Sequence, residues 1–378
     1  MLTLEHAVAG PFGSRQLADL GARVIKVERP GSGDFARDYD HAVRGMGSHF
    51  IWLNRGKESV ELDVKTPLGA EALRRLIDRV DVVMNNLSPA AAQRLGLDAG
   101  TLRSRRPELI VCSINGYGST GPYAGRRSYD MLVQGESGVI AITGNGDHRA
   151  KAGIPVGDIA GGSTAANAVL AALVRRGVSG EGASLEVSLL AALTEWMGYP
   201  LTNADATGRQ QRPSGLSHPA VCPYDAYPTG SGPDVLISVQ NDTEWKRLTT
   251  EVLGRPELAD HPDYARNVAR CANRAEVDEA VAAATRTLDS DELCARLDAA
   301  GIANGRLNDL VDVLAHPQLA DRWREHPTPV GPVRGLRPAG HDPAWEQPPG
   351  AVPALGEHTA AVLAELGFTA EEITGVTR

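Results

Sequence analysis

A doubly wound α/β fold is what the first half of this 378-residue chain predicts, and three observations carry that reading. Short β-branched runs alternate with helical stretches, the order that builds a parallel sheet with helices on its faces. The gap between Met1–Glu5 and Arg23–Glu28 (RVIKVE) holds one helix, Phe12–Leu20, as a right-handed crossover requires. Leu109–Ile114 (LIVCSI) is apolar or small throughout, as a strand covered on both faces must be.

The remaining elements follow in order. Ser59–Leu62 reads as a strand, and Thr66-Pro67 as an N-cap with proline at the first helical position of a helix running to about Arg79. Asp81–Met84 is a buried strand. Asn115–Ser128 is a glycine-rich loop. Tyr129–Val139 and the alanine-rich Asp158–Val174 are helices, and Ala183–Ser188 is a strand feeding another helix. Pro, Gly, Ser and Thr accumulate over Thr202–Gly232, which marks a crossing between domains. A strand, Val235–Gln240, and three helical stretches ending near Ala300 come next. His326–Pro353 carries eight prolines and reads as an extended strap before a last helix, Thr359–Leu366. The expected division is 1–200, a large domain; 201–325, a linker and small α/β domain; and 326–378, the strap and C-terminal helix.

Composition narrows the function. Hydrophobic residues make up 42% and charged residues 22%, which excludes wholesale disorder. The net charge is −9 and the basic residues are scattered, so no nucleic-acid footprint exists and a small-molecule partner is expected. Four cysteines without a CxxC pair, and His218 alone near Cys222, predict no metal site and fit a reducing cytoplasm. The N-terminus lacks a basic n-region, and the longest apolar run, Ala168–Val174, is too short for a bilayer; a soluble cytoplasmic protein is expected, with no membrane partner.

Neither a GxGxxG, a Walker A nor a GxSxG sequence occurs, which removes the common dinucleotide, P-loop and hydrolase-elbow readings. Arg29, Arg37, Arg55, Lys57, Lys65, Arg94, Arg126 and Arg127 fall after strands or in loops, where an open sheet gathers its ligand; they read either as phosphate holders or as ordinary surface. His6 follows the first strand and reads as a packed residue, and Asp130 as a first-turn acid. Asp158, in PVGDIAGG, is read in two ways. It is an N-cap, or a carboxylate kept ionised by the helix N-terminus and placed to attack an acyl carbon, with Gly161 and Gly162 allowing close approach and an oxyanion site.

The segments HAVAGPF, LADLGARVIKVERPGSGDFAR, LNRGKESVELDVKTPLG, NNLSPAAAQRLGL, INGYGSTGPYAGRRSYD and GIPVGDIAGGSTAANAVLAAL, with GIANGRLNDLVDVLAHPQL and LGEHTAAVLAELG, resemble in content and order the family III CoA-transferases. That family includes formyl-CoA and carnitine–CoA transferases and the alpha-methylacyl-CoA racemases. The resemblance implies a Rossmann-like large domain, a smaller α/β domain and an interlocked homodimer. It also implies a nucleophile at Asp158 and no tightly bound cofactor, with coenzyme A esters as substrates and a carboxylic acid as acceptor. The CoA-contacting positions it implies are Val8, Ala9, Arg29, Leu62, Asp63, Val64, Lys65, Asn86, Leu87, Ser88, Arg94, Arg127, Ser128, Tyr129 and Asp130.

Two departures from the family pattern matter. Val8 stands where the formyl-CoA enzyme has a glutamine, which argues against oxalate or formate. Tyr129 stands where the racemases have a histidine, and a phenol with a reference pKa of about 10 is a poor base near neutrality. Transferase is therefore favoured over the alternative, racemase. ERPGSGDFARDYD and SHFIWLNRGKESVELD resemble the mesaconyl-CoA-type enzymes, which implies a C4–C5 dicarboxylic acid; loop arginines such as Arg37 or Arg44 read either as partners of its distal carboxylate or as solvated side chains.

Overall fold

A computed structural model describes residues 1–340 and 342–376. His341, inside the expected strap, and residues 377–378, at the end of the expected C-terminal segment, lie outside the described residues. Two compact units divide the chain: Met1–Ile140, Lys151–Ala206 and Arg322–Arg378 form the first, and Ala141–Ala150 with Thr207–Asp321 the second.

The first unit is built on six strands: β1 (Leu2–Leu4), β2 (Val24–Glu28), β3 (Lys57–Glu61), β4 (Val82–Asn85), β5 (Ile110–Asn115) and β6 (Ala183–Ser188). Their order is β3-β2-β1-β4-β5-β6, and every pairing is parallel. The chain reverses its direction of travel across the sheet between β1 and β4, so the loops leaving these two strands diverge and open a crevice. Alternation along the strands fills both faces. Val83 and Val111 join one apolar cluster with Leu2, Leu4 and Val60. Val82, Met84, Ile110, Cys112 and Ile114 join another on the opposite face.

Helix α1 (Ala9–Asp19) begins earlier than the sequence predicts and includes Gly10 and Pro11 in its first turn, where a missing N–H costs nothing. It crosses the long helix α2 (Val156–Ser179) at a stripe of small residues. A Cβ on Gly13 would lie 2.7 Å from the Gly162 carbonyl oxygen, and one on Gly162 would lie 2.5 Å from the Ala9 carbonyl oxygen. At 24 residues, α2 is long and apolar enough by composition to cross a membrane, which the short run Ala168–Val174 did not reveal; Ala160, Ala165, Ala166, Val169 and Ala172 pack it into the second cluster. The C-terminal segment covers the edge strand β3: the Glu61 N–H donates to Thr359 Oγ1 at 2.9 Å and the His358 N–H to the Ser59 carbonyl at 3.0 Å. Within the proline-rich tail, Trp323–His326 and Val333–Leu336 pair as a hairpin that the strap reading did not contain.

The second unit holds a three-stranded antiparallel sheet, Tyr224–Tyr227, Val235–Ser238 and Ala303–Arg306, with Val235–Ser238 central. Its core gathers Trp245, Val281, Leu293 and Leu297 from the surrounding helices. The hairpin Gly144–Asn145 with His148–Arg149, expected from Gly144-Asn145-Gly146, belongs to this unit.

Candidate active site

The crevice between the β1 and β4 loops is closed by a reciprocal pair of hydrogen bonds. The His6 N–H donates to Asn86 Oδ1 at 2.9 Å, and Asn86 Nδ2 donates to the His6 carbonyl at 2.8 Å. The next residue, Ala7, has φ +60°, a left-handed conformation unfavourable for a residue with a Cβ. Its N–H is taken by Asp34 Oδ1 at 3.0 Å, which also accepts from the Ala36 N–H at 2.9 Å. Asp34 is in turn neutralised by Lys26 Nζ at 2.8 Å.

Below this loop lies a buried ionic network. Lys57 Nζ donates to Glu5 Oε1 at 2.8 Å, to the Pro11 carbonyl at 3.0 Å and to Asn54 Oδ1 at 3.0 Å. The side chains of Glu5, Lys26 and Lys57 are all 0% exposed. Burial holds Lys57 down at about 8 despite its carboxylate neighbour. Ionic partners hold Glu5 and Asp34 below the usual carboxylate range, against the opposing effect of burial.

Asp158 sits in the first turn of α2, two residues after the helix begins, and is not the cap. That role is taken by Asp130, the first residue of the short helix Asp130–Glu136. The Gly157 N–H donates to Asp130 Oδ1 at 2.8 Å and the Asp158 N–H to the same oxygen at 3.4 Å, while Gln134 Nε2 donates to Asp130 Oδ2 at 2.7 Å. Among the described residues none donates a hydrogen bond to the Asp158 carboxylate. Burial, with the Asp130 charge adding to it, pushes its pKa up to about 7. The expectation that the helix N-terminus keeps Asp158 fully ionised is thus corrected: the amides are already engaged by a second carboxylate of like charge.

Asp158 lines a cavity of about 160 Å³ with His6, Ala7, Ala9, Phe35, Asn86, Asn115, Gly116, Ser128 and Tyr129 among its walls. A larger cleft of about 650 Å³ shares Asn86, Asn115, Gly116, Ser128 and Tyr129 with it, and runs outward past Leu87, Ser88, Arg126 and Arg127. The fold therefore sets Ala9, Asn86, Ser128 and Tyr129 around the Asp158 cavity, and Asn86, Leu87, Ser88, Arg127, Ser128 and Tyr129 along the cleft that shares walls with it. Val8, Arg29, Leu62, Asp63, Val64, Lys65 and Arg94 line neither space. Of these, Val8 lies in the loop after β1, Arg29 follows β2, and Leu62–Lys65 follow β3, all at the carboxyl edge of the sheet. Arg94 ends the helix Pro89–Arg94 that follows β4.

Several expected ligands of an anion are engaged elsewhere. Arg37 holds Glu28 through two bonds of 2.7 and 2.9 Å, and Arg55 holds Asp19 through two of 2.7 and 2.8 Å. Arg44 donates to the Pro332 and Gly331 carbonyls. The pairing of Arg37 or Arg44 with a substrate carboxylate is accordingly set aside. Gly161 and Gly162 also differ from expectation: a Cβ on Gly161 would run into Leu189 and one on Gly162 into the α1 backbone, so their close approach is between elements of the fold and neither lines the Asp158 cavity. Sequence reasoning assigned no site role to Phe35, Asn115 or Gly116, or to His6; Phe35 in GDFAR and Asn115-Gly116 at the end of β5 were visible only as a loop and a strand end. Among the described residues no cluster of His, Cys, Asp and Glu has the makings of a metal site.

Comparison with known proteins places the chain in a family. The profile of CoA-transferase family III matches residues 1–359. The chain is 36% identical to the succinate–glutarate CoA-transferase of Agrobacterium fabrum, over 97% of this chain and 94% of that protein. It is 33% identical to the succinyl-CoA:mesaconate CoA-transferase of Haloarcula hispanica, over 97% and 95%. The crystal structure of a CAIB/BAIF family protein from Brucella suis superposes with a TM-score of 0.83 at 35% identity, covering 97% of both chains. The chain belongs to CoA-transferase family III and is a CoA-transferase.

Proposed function

We propose that this enzyme moves CoA between short dicarboxylic acids, of the C4–C5 class, with Asp158 as the nucleophile. The observation that carries the reading is that the cavity lined by Asp158 shares Asn86, Ser128 and Tyr129 with a cleft walled by Asn86–Ser88 and Arg127–Tyr129. A thioester bound in that cleft would present its carbonyl to a carboxylate in a largely dry site. The relatives named for succinate, glutarate and mesaconate support the dicarboxylic class.

In the proposed sequence, the Asp158 carboxylate adds to the thioester carbonyl and the C–S bond breaks, giving a mixed anhydride and a CoA thiolate. The thiolate then attacks the Asp158 carbonyl carbon, releasing the donor acid and leaving an aspartyl-CoA thioester. The acceptor carboxylate repeats the two steps in reverse. Each step exchanges one activated acyl bond for another, so no energy source beyond the thioester enters. CoA contacts far from the reacting carbon supply binding energy that holds it in place. In this reading the parallel sheet serves as a Rossmann-like cradle. Val8, Arg29, Leu62–Lys65 and Arg94 would reach the nucleotide end of CoA from the same edge.

A homodimer, interlocked as the family resemblance implies, goes with this reading. Leu170, Val174 and Val178 recur every four residues along α2 and are exposed, the last two by 73% and 90%. Such an apolar stripe favours cover by a second copy. A cytoplasmic location also goes with it, since the four cysteines are free thiols.

The test is incubation with succinyl-CoA and glutarate or mesaconate in the presence of hydroxylamine, followed by peptide mass spectrometry. A hydroxamate on Asp158, together with formation of the new thioester, is expected. No adduct, alongside deuterium uptake at the alpha carbon of a 2-methylacyl-CoA, would overturn the reading in favour of racemisation.

A further inference from the structure

We propose that His6 is a second catalytic residue of this transfer, its Nε2–H donating a hydrogen bond to the thioester carbonyl oxygen as Asp158 adds to the carbonyl carbon. The inference rests on the reading of Asp158 as the nucleophile.

The placement of His6 is over-determined. Both polar groups of its peptide are held by Asn86, and the following N–H is held by Asp34 with Ala7 in a strained conformation. Its ring stacks on Phe35, with centroids 5.4 Å apart and planes 29° from parallel. Strain and double clamping at a single loop position are features of pre-organised sites rather than of ordinary connections. His6 and Asp158 line the same small cavity.

The tautomer follows from the ring's surroundings. Nδ1 is enclosed and has no hydrogen-bond partner. An enclosed N–H without an acceptor costs more than an enclosed lone pair, so the proton of the neutral ring belongs on Nε2. Nε2 has no protein partner among the described residues and is not enclosed, which leaves it free to serve the cavity. The charged groups acting on the ring are Asp34, Lys26, Arg29 and Glu5; they offset one another in part, and burial lowers the His6 pKa below its ordinary value. The ring is therefore a neutral donor near pH 7. Lys26, 0% exposed and spent on Asp34, and Arg37, spent on Glu28, do not compete for that role.

During the step, a C–O bond forms between Asp158 and the carbonyl carbon, and the π pair moves onto the carbonyl oxygen. Its collapse breaks the C–S bond and expels the thiolate. His6 keeps its proton throughout and stabilises the oxygen only while it bears charge. A donor of this kind acts on the transition state more than on bound substrate.

The experiment compares wild type with H6A, H6F and H6N. It measures kcat and KM for succinyl-CoA, the Kd for free CoA, and the rate of hydroxamate formation on Asp158. Loss of one such donor lowers kcat by about 10²–10³-fold. H6A and H6F should show that loss with CoA affinity changed by less than about threefold, and H6N, whose amide also donates, should recover at least about tenfold of it. A wild type that forms the Asp158 adduct while H6A forms it as fast would overturn the role of His6 alone. Loss of CoA affinity in parallel with kcat, without recovery in H6N, would also overturn it and leave His6 a packing residue. A wild type with no adduct would overturn the proposed function, and the role of His6 with it.

Discussion

The Asp130 carboxylate caps the helix that carries Asp158, accepting the Gly157 N–H at 2.8 Å from a different element. One contact thus fixes the start of α2 and sets a like charge beside the proposed nucleophile. The pH profile should show it. In the proposed transfer Asp158, raised to about 7, must be ionised to attack, so kcat/KM of free enzyme should rise with pH through about 7. D130N keeps an oxygen for the Gly157 N–H and removes the charge; its acid limb should move to lower pH. Profiles measured from pH 5 to 9 check both, and an unmoved limb in D130N would assign the shift to burial alone.

The same shift has a stability consequence of opposite sign to the usual carboxylate case. The folded state binds the Asp158 proton more tightly than the unfolded chain, whose value is near 4, so stability falls as pH rises from about 4 to about 7. D158N removes that cost. It should abolish CoA transfer by at least about 10³-fold while retaining CoA binding, and should raise Tm at pH 8 but not at pH 4. Thermal melts at the two pH values, read beside a CoA titration, test this directly.

The strands were legible because a parallel sheet covered on both faces writes itself as continuous apolar runs, of which LIVCSI is the clearest. Asp158 drew attention as a Gly-Asp pair at the start of a small-residue helix, while its role as nucleophile came through family resemblance. Residues 86–88 and 127–129 were reached through family resemblance, and the fold sets them along one cleft. What stayed hidden depends on distant partners. Lys26 lies inside the expected strand RVIKVE and Lys57 read as a loop cation; only the fold shows them sealed against Glu5 and Asp34. Arg37 and Arg55 looked like free loop cations until Glu28 and Asp19 came into contact with them. The Trp323–His326 hairpin was masked by prolines, which suppress alternation without forbidding a short isolated pair.

Gly162 tests the packing between α1 and α2. A methyl group there would meet backbone, the Ala9 carbonyl at 2.5 Å and the Gly13 nitrogen at 3.1 Å, and neither can rotate away. G162A should therefore destabilise by about 1–3 kcal/mol, the usual cost of overpacking. Because Ala9 also walls the Asp158 cavity, the displaced helix should lower kcat even at temperatures where the variant is fully folded. G177A, on the same helix with open space at its Cβ position, should leave both quantities within about 0.5 kcal/mol or gain slightly from helix propensity. Equal effects at the two positions would remove the packing argument.

Asp34 joins stability to the site through two bonds made by one side chain. Its Oδ2 neutralises Lys26, which is 0% exposed, and its Oδ1 holds the N–H of strained Ala7. D34A leaves a sealed ammonium whose remaining carboxylate, Glu5, is 3.8 Å away and already committed to Lys57 at 2.8 Å; breaking a buried pair from one side costs about 3–5 kcal/mol. D34N keeps an acceptor for Ala7 and removes the charge, so the two functions separate. D34N combined with K26M takes both charges out together and should recover much of the stability lost in D34A. It should also keep kcat above that of D34A measured at a temperature where both are folded. Urea unfolding of the three proteins, with rates taken below each transition, decides the matter. If the double variant is as unstable as D34A, neither the stranded charge nor the loop bonds account for the loss, and the Asp34–Lys26 pair itself is what the fold needs.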